Sequence, residues 1–72
     1  MNTFDRRNYI MDLVNTNGSV LVSAISSDMG VSEVTIRADL RLLEERGLLT
    51  RFHGGAAKRK DTGLEAAGQK EL

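Results

Sequence analysis

The chain has 72 residues, 40% of them apolar and 4% aromatic, with ten Lys+Arg against ten Asp+Glu and neither proline nor cysteine. A chain this short buries only ~60% of the surface its unfolded form exposes, so one small, tightly patterned domain is expected. The missing cysteine excludes disulfide staples and Cys-ligated metal sites, no run approaches the ~18 apolar residues of a membrane span, and no basic-then-apolar leader opens the chain.

Residues 3–17 read as a first helix. Ile10, Leu13 and Val14 form an i, i+3, i+4 face, with Phe4 and Met11 at helical spacing beside them and Tyr9 at core or rim. Thr3 is the expected cap, and Asn17-Gly18 the expected stop. Ser19-Val20-Leu21-Val22 is β-branched and short, which suits a strand or an extended entry. Ser23 is expected to cap a second helix over about 24–29, with Ala24, Ile25 and Met29 facing inward and Gly30-Val31 breaking it. Ser32 caps a third helix running to about Arg46. Thr35 sits where a capping-box partner belongs, Ile36, Leu40 and Leu43 are buried, Leu42 is at the flank, and Gly47 is the stop. Leu48 to Phe52 then reads as a strand, His53-Gly54-Gly55 as a tight turn and Ala56 to Arg59 as the returning strand. Residues 61–72 lack firm periodicity and read as a linker or disordered tail. The fold class is mainly α with a small β-hairpin.

Two helices divided by Gly30-Val31, the second opened by a hydroxyl cap, have the spacing of a helix-turn-helix over about 20–39. The hairpin over about 48–60 then serves as a wing, which makes a winged helix-turn-helix of three helices plus wing. Charge follows the same division. Residues 1–47 carry five basic and seven acidic side chains, whereas 48–60 carry Arg51, Lys58, Arg59 and Lys60 with no acid. Such a block concentrates positive field on one feature, while the balanced total argues against indiscriminate coating of nucleic acid.

Burial of Ile36, Leu40 and Leu43 leaves Glu33, Val34, Arg37, Ala38 and Arg41 on or near the exposed face of the third helix. Arg37 and Arg41 are neighbours there, and two guanidinium groups on one face suit guanine O6/N7 or flanking phosphates in a major groove. Ser32, Thr35 and the helix N-terminus favour phosphate. Arg51, His53, Lys58 and Arg59 give the wing its contacts with the minor groove or adjacent backbone, and Gly54 and Gly55 permit close approach. The competing reading is solvated arginines paired with Glu33, Glu44 and Glu45; cap, turn and basic hairpin together outweigh it. Asp39, among core positions, is expected to orient an arginine or a backbone amide. A lone His53 without cysteine makes a poor metal ligand and has no nucleophile to activate. No enzyme, metal or cofactor is expected. The runner-up is a winged helix that docks on protein instead of DNA, because fold alone does not settle function.

With Val31-Ser32-Glu33-Val34-Thr35-Ile36-Arg37-Ala38-Asp39-Leu40 and Arg51-Phe52-His53-Gly54-Gly55-Ala56 both placed, the chain over about 3–58 resembles the amino-terminal domain of the DeoR family. Arg6 or Arg7 ahead of Ile10 fits that family's opening helix. One departure is Ala38, where many members carry a second basic residue. The resemblance implies a bacterial, cytoplasmic regulator, mostly of the repressor kind, that binds double-stranded operator DNA in sugar or sugar-alcohol catabolism. It also implies a larger carboxy-terminal α/β domain that binds a phosphorylated sugar and provides self-association. That domain is absent from these 72 residues, so neither an inducer site nor an inducer response is expected of them.

Overall fold

A computed structural model describes residues 2–59. Helix α1 (Thr3–Asn17) leads into strand β1 (Ser19–Leu21), helix α2 (Val22–Met29), helix α3 (Glu33–Glu45) and strands β2 (Leu49–Phe52) and β3 (Gly55–Lys58). The expected linker or tail at 61–72, and Lys60 at the end of the wing, lie outside the described residues. None of the three helices is long and apolar enough to cross a membrane.

Local chemistry sets most of the boundaries. The Asn2 side chain accepts a 2.8 Å bond from the Asp5 N–H, so Asn2 and not Thr3 caps α1; Thr3 already lies in the first turn. At the other end Gly18 adopts φ 87°, a conformation that costs glycine nothing. Helix α2 departs further from the sequence pattern. It begins at Val22 with Leu21 as an extended cap that offers no side-chain acceptor, so Ser23 does not cap it. The Val22 N–H instead bonds the Gly54 carbonyl at 2.9 Å, and the turn of the wing thereby satisfies one of the helix's open donors. Starting earlier rotates the buried face: Val22 and Ile25 are buried, Met29 is half-buried, and Ala24 is exposed.

Ser32 caps α3 as its sequence predicts, its Oγ accepting from the Thr35 N–H at 3.2 Å. The same helix closes on paired bonds from the Gly47 N–H to the Glu44 carbonyl (2.9 Å) and from the Leu48 N–H to the Leu43 carbonyl (3.0 Å), a glycine-dependent stop.

The expected hairpin is two strands of a three-stranded antiparallel sheet in the order β1-β3-β2. Strand β1 pairs Ser19, Val20 and Leu21 with Ala57, Ala56 and Gly55; β2 pairs Leu49 to Phe52 with Lys58 to Gly55. Strand β3 is thus central, with both of its edges occupied. The turn holds only His53 and Gly54, and Gly55 is already paired strand.

The core consists of Ile10, Val14, Val20, Val22, Ile25, Ile36, Leu40, Leu43, Leu49 and Ala56. Leu13 packs partly against it, whereas Phe4 is 71% exposed and Tyr9 lies at the rim. One charge is buried among these residues. Asp39 of α3 accepts from Arg6 Nε and from Arg6 NH2 (2.9 Å) and Arg7 Nε (2.9 Å) of α1. Burial pushes its carboxyl upward, but the bonds and charges of the two arginines outweigh this and hold it below the ordinary carboxylate range. The expectation that Asp39 orients an arginine is met twice over.

Candidate nucleic-acid interface

The Ser32 cap and the burial of Ile36, Leu40 and Leu43 set the rotation of α3, and with it what the helix presents outward. Ser32, Val34, Arg37, Ala38 and Arg41 are exposed, while Glu33 and Thr35 are partly so. Ser32 Oγ also donates to Thr35 Oγ1 at 3.1 Å, which draws the two hydroxyls together at the positive end of the helix. Arg37 NH2 donates to Glu33 Oε1 at 2.8 Å, an exposed i,i+4 pair. Arg41 makes no ion pair or side-chain hydrogen bond among the described residues. The two arginines read as equivalent in the sequence therefore differ: one is tethered and the other extends into solvent.

Beside this face, α3 and the wing tip border an open hollow of about 440 Å³. It is lined by Arg37 and Leu40 of α3, Val22 of α2, and the wing residues from Arg51 to Gly55. Arg51 is anchored. Its backbone N–H and Nε reach the two carboxylate oxygens of Glu44, each at 2.9 Å, and those bonds, the backbone one foremost, hold the Glu44 carboxyl below its ordinary value. His53 and Gly54 are exposed at the tip.

Gly55 is buried, and its requirement for glycine is internal. A Cβ there would lie 2.1 Å from the Val20 carbonyl oxygen and 2.9 Å from the Phe52 ring. Lys58 and Arg59 are not brought to the tip. They lie at the far end of β3, where Lys58 is paired with Leu49 and Arg59 NH1 donates to the Gly47 carbonyl at 2.9 Å.

The profile of the DeoR-like helix-turn-helix domain matches residues 6–62, which takes in both helices of the motif and the whole wing. This chain belongs to the DeoR-like helix-turn-helix family. The domain is 60% identical over 58 residues to the galactitol utilization operon repressor of Escherichia coli K12, covering 81% of this chain and 52% of that protein. It is 52% identical over 56 residues to a lactose phosphotransferase system repressor of Staphylococcus epidermidis, covering 78% of this chain and 22% of that one. The transcriptional regulator GlpR of Haloferax volcanii is 44% identical over 69 residues, 94% of this chain and 27% of its own length. The DeoR-like chain thus spans from about a fifth to about half the length of these relatives. No solved structure matches it.

Two features beside the exposed face of α3 are not read directly from the sequence of this DeoR-like domain. Glu44, a candidate partner for the arginines of α3, is held instead by Arg51 of β2, and a seven-residue separation across a helix end carries no periodic signal. Phe52 is 45% exposed beside Arg37, although an aromatic residue in a short strand reads as core. The strand's burial pattern runs buried-exposed-exposed-exposed; alternation from buried Leu49 turns Phe52 outward with Thr50, and the residue it misplaces is Arg51.

Proposed function

We propose that this DeoR-like domain binds duplex DNA sequence-specifically and forms the operator-binding part of a transcriptional repressor of a sugar or sugar-alcohol operon, with galactitol utilization the first candidate. One observation carries this reading above the others: a capped helix N-terminus, a tethered Arg37 and an extended Arg41 lie on one exposed face, immediately beside a wing whose tip is open. In this arrangement α3 enters the major groove. Ser32, Thr35 and the amide end of the helix anchor phosphate, and Glu33, Val34, Arg37, Ala38 and Arg41 face base edges. The wing lies along neighbouring backbone through Arg51, His53 and Gly54; Gly55 supports the turn from beneath, and Lys58 and Arg59 extend the positive field at its base. The role is that of a regulator and not an enzyme, exercised on the bacterial nucleoid. The same reading assigns signal sensing and self-association to sequence outside the matched span. Binding by this unit alone is therefore weak and strongly salt-dependent, with no second subunit to raise the effective concentration.

The deciding experiment titrates the chain with an operator duplex and a scrambled duplex at several salt concentrations, following backbone amide shifts. Shifts cluster at 32–41 and 51–59 on the operator. Arg41→Ala weakens operator binding by ~1–3 kcal/mol and relaxes preference at one base position, whereas Lys58→Ala weakens both duplexes alike. Equal loss on both duplexes for Arg41→Ala removes base readout. An absence of shifts at 32–41 and 51–59 with either duplex favours the competing reading, in which the 33–46 face docks on protein.

A further inference from the structure

Val34 is the most exposed large hydrophobic side chain among the described residues, at 75%. Nothing in the fold accounts for it. A β-branched residue in the first turn of an exposed helical face restricts its own rotamers and buries no area in return. Its position is specific, however. Val34 lies opposite the Ile36–Leu40–Leu43 face, one turn before exposed Ala38 and two turns before Arg41. Arg37, its other neighbour, is drawn back onto Glu33 at 2.8 Å, and Ala38 has no side chain beyond Cβ. The result is a small exposed apolar spot of Val34 and Ala38, with Arg37 and Arg41 together along one side of it.

A major groove presents donors and acceptors on every base pair but an apolar group on only one base, the C5-methyl of thymine. We propose that Val34, supported by Ala38, is the thymine-reading residue of α3, a specificity determinant that rests on the duplex-DNA reading given above. Arg37 and Arg41 meet other base edges or phosphates, and the methyl contact selects thymine at its own step.

The test separates one methyl group from everything else. Duplexes enriched by the whole chain from a randomised pool are resynthesised with each thymine replaced in turn by deoxyuridine, which removes the C5-methyl alone. Binding is then measured for the wild type and for Val34→Ala, a substitution at an exposed position that favours helix and leaves the melting temperature in place. At one thymine, the wild type loses about fourfold to tenfold on the uracil duplex, the loss that goes with one or two buried methyl-sized groups. Val34→Ala loses a similar factor on the thymine duplex and nothing more on that uracil duplex, so the two losses do not add. Losses that add at every thymine, or no thymine whose methyl matters, overturn the assignment while leaving DNA binding standing. A chain that enriches no duplex at all overturns the DNA reading first, and this one with it.

Discussion

On its inner side α3 is tied to α1 through Asp39, whose side chain is 1% exposed and is gripped by Arg6 and Arg7. On its outer side it is tied to the wing through Glu44, about one-third exposed and gripped by Arg51. Both contacts set carboxylate oxygens against guanidinium and both lower the carboxyl's affinity for protons, yet burial makes them different devices. Around Asp39 the medium is apolar, so the carboxylate, once there, depends on its partners; losing them leaves a charge that water cannot reach. Around Glu44, water screens the pair and replaces it when it opens. The inner contact fixes how α3 lies on the body of the domain. The outer contact steers the wing and adds little to stability. Similar chemistry thus serves stability in one place and aim in the other, and solvent access decides which.

The largest effect is expected at the inner contact. Asp39→Ala leaves two half-buried guanidinium groups without an acceptor and costs about 3 kcal/mol, a large share of what a chain this size can hold in reserve. Thermal and denaturant melts check it, and a loss below about 1 kcal/mol breaks the comparison. Acid provides a second view. Because Asp39 is held below the ordinary carboxylate range, its contribution is complete above about pH 4, the unfolded-state value, and disappears as pH falls through the lower folded value. Glu44 titrates in the same sense. Melts taken from pH 6 to pH 2 should therefore show a steep acid limb that Asp39→Asn largely removes and Glu44→Gln scarcely alters.

A change beneath the wing comes next. Gly55→Ala sets a methyl group 2.1 Å from the Val20 carbonyl oxygen, a separation that only backbone movement can relieve. It is expected to cost about 2 kcal/mol by overpacking and to loosen the Gly54 carbonyl from the Val22 N–H. Faster amide exchange at Val22 would register that release; unchanged exchange and an unchanged melting temperature would show that the sheet absorbs the methyl. This result sharpens the comparison, because it assigns the wing's stability to close packing and not to its ion pair. The smallest effect belongs to Glu44→Gln, with the melting temperature nearly unchanged and exchange of the Arg51 amide accelerated. A loss of stability matching that of Asp39→Ala would mean that exposure does not separate the two sites after all.

Much of α3 is legible in the sequence, because its determinants are local. Ser32 and Thr35 sit three residues apart, Ile36, Leu40 and Leu43 repeat at helical spacing, and Gly47 follows the last turn, so the cap, buried face and stop can all be read within a dozen residues. The exposed face, with Val34, Arg37, Ala38 and Arg41, follows by subtraction. The N-terminal caps of the other helices were less legible. Asn2 and Thr3 are both good caps, and only the backbone path chooses between them. Ser23 looks like the cap of α2, but cap and helix both begin two residues earlier because a carbonyl from the wing supplies the acceptor.

The sequence by itself determined three helices with their glycine stops, a basic β-ribbon after them and an outward row of residues on the last helix, since each depends on neighbours a few positions away. Tertiary structure alone decided that Ser19–Leu21 completes the sheet, that Arg51 and Arg59 are engaged inside the molecule, and that Gly55 lies buried under Phe52. Apart from the contact of Gly55 with Phe52, which spans three positions, these outcomes join segments 7 to 38 positions apart. Whether such partners meet is a matter of how the chain closes on its core, and no local pattern of side chains records it.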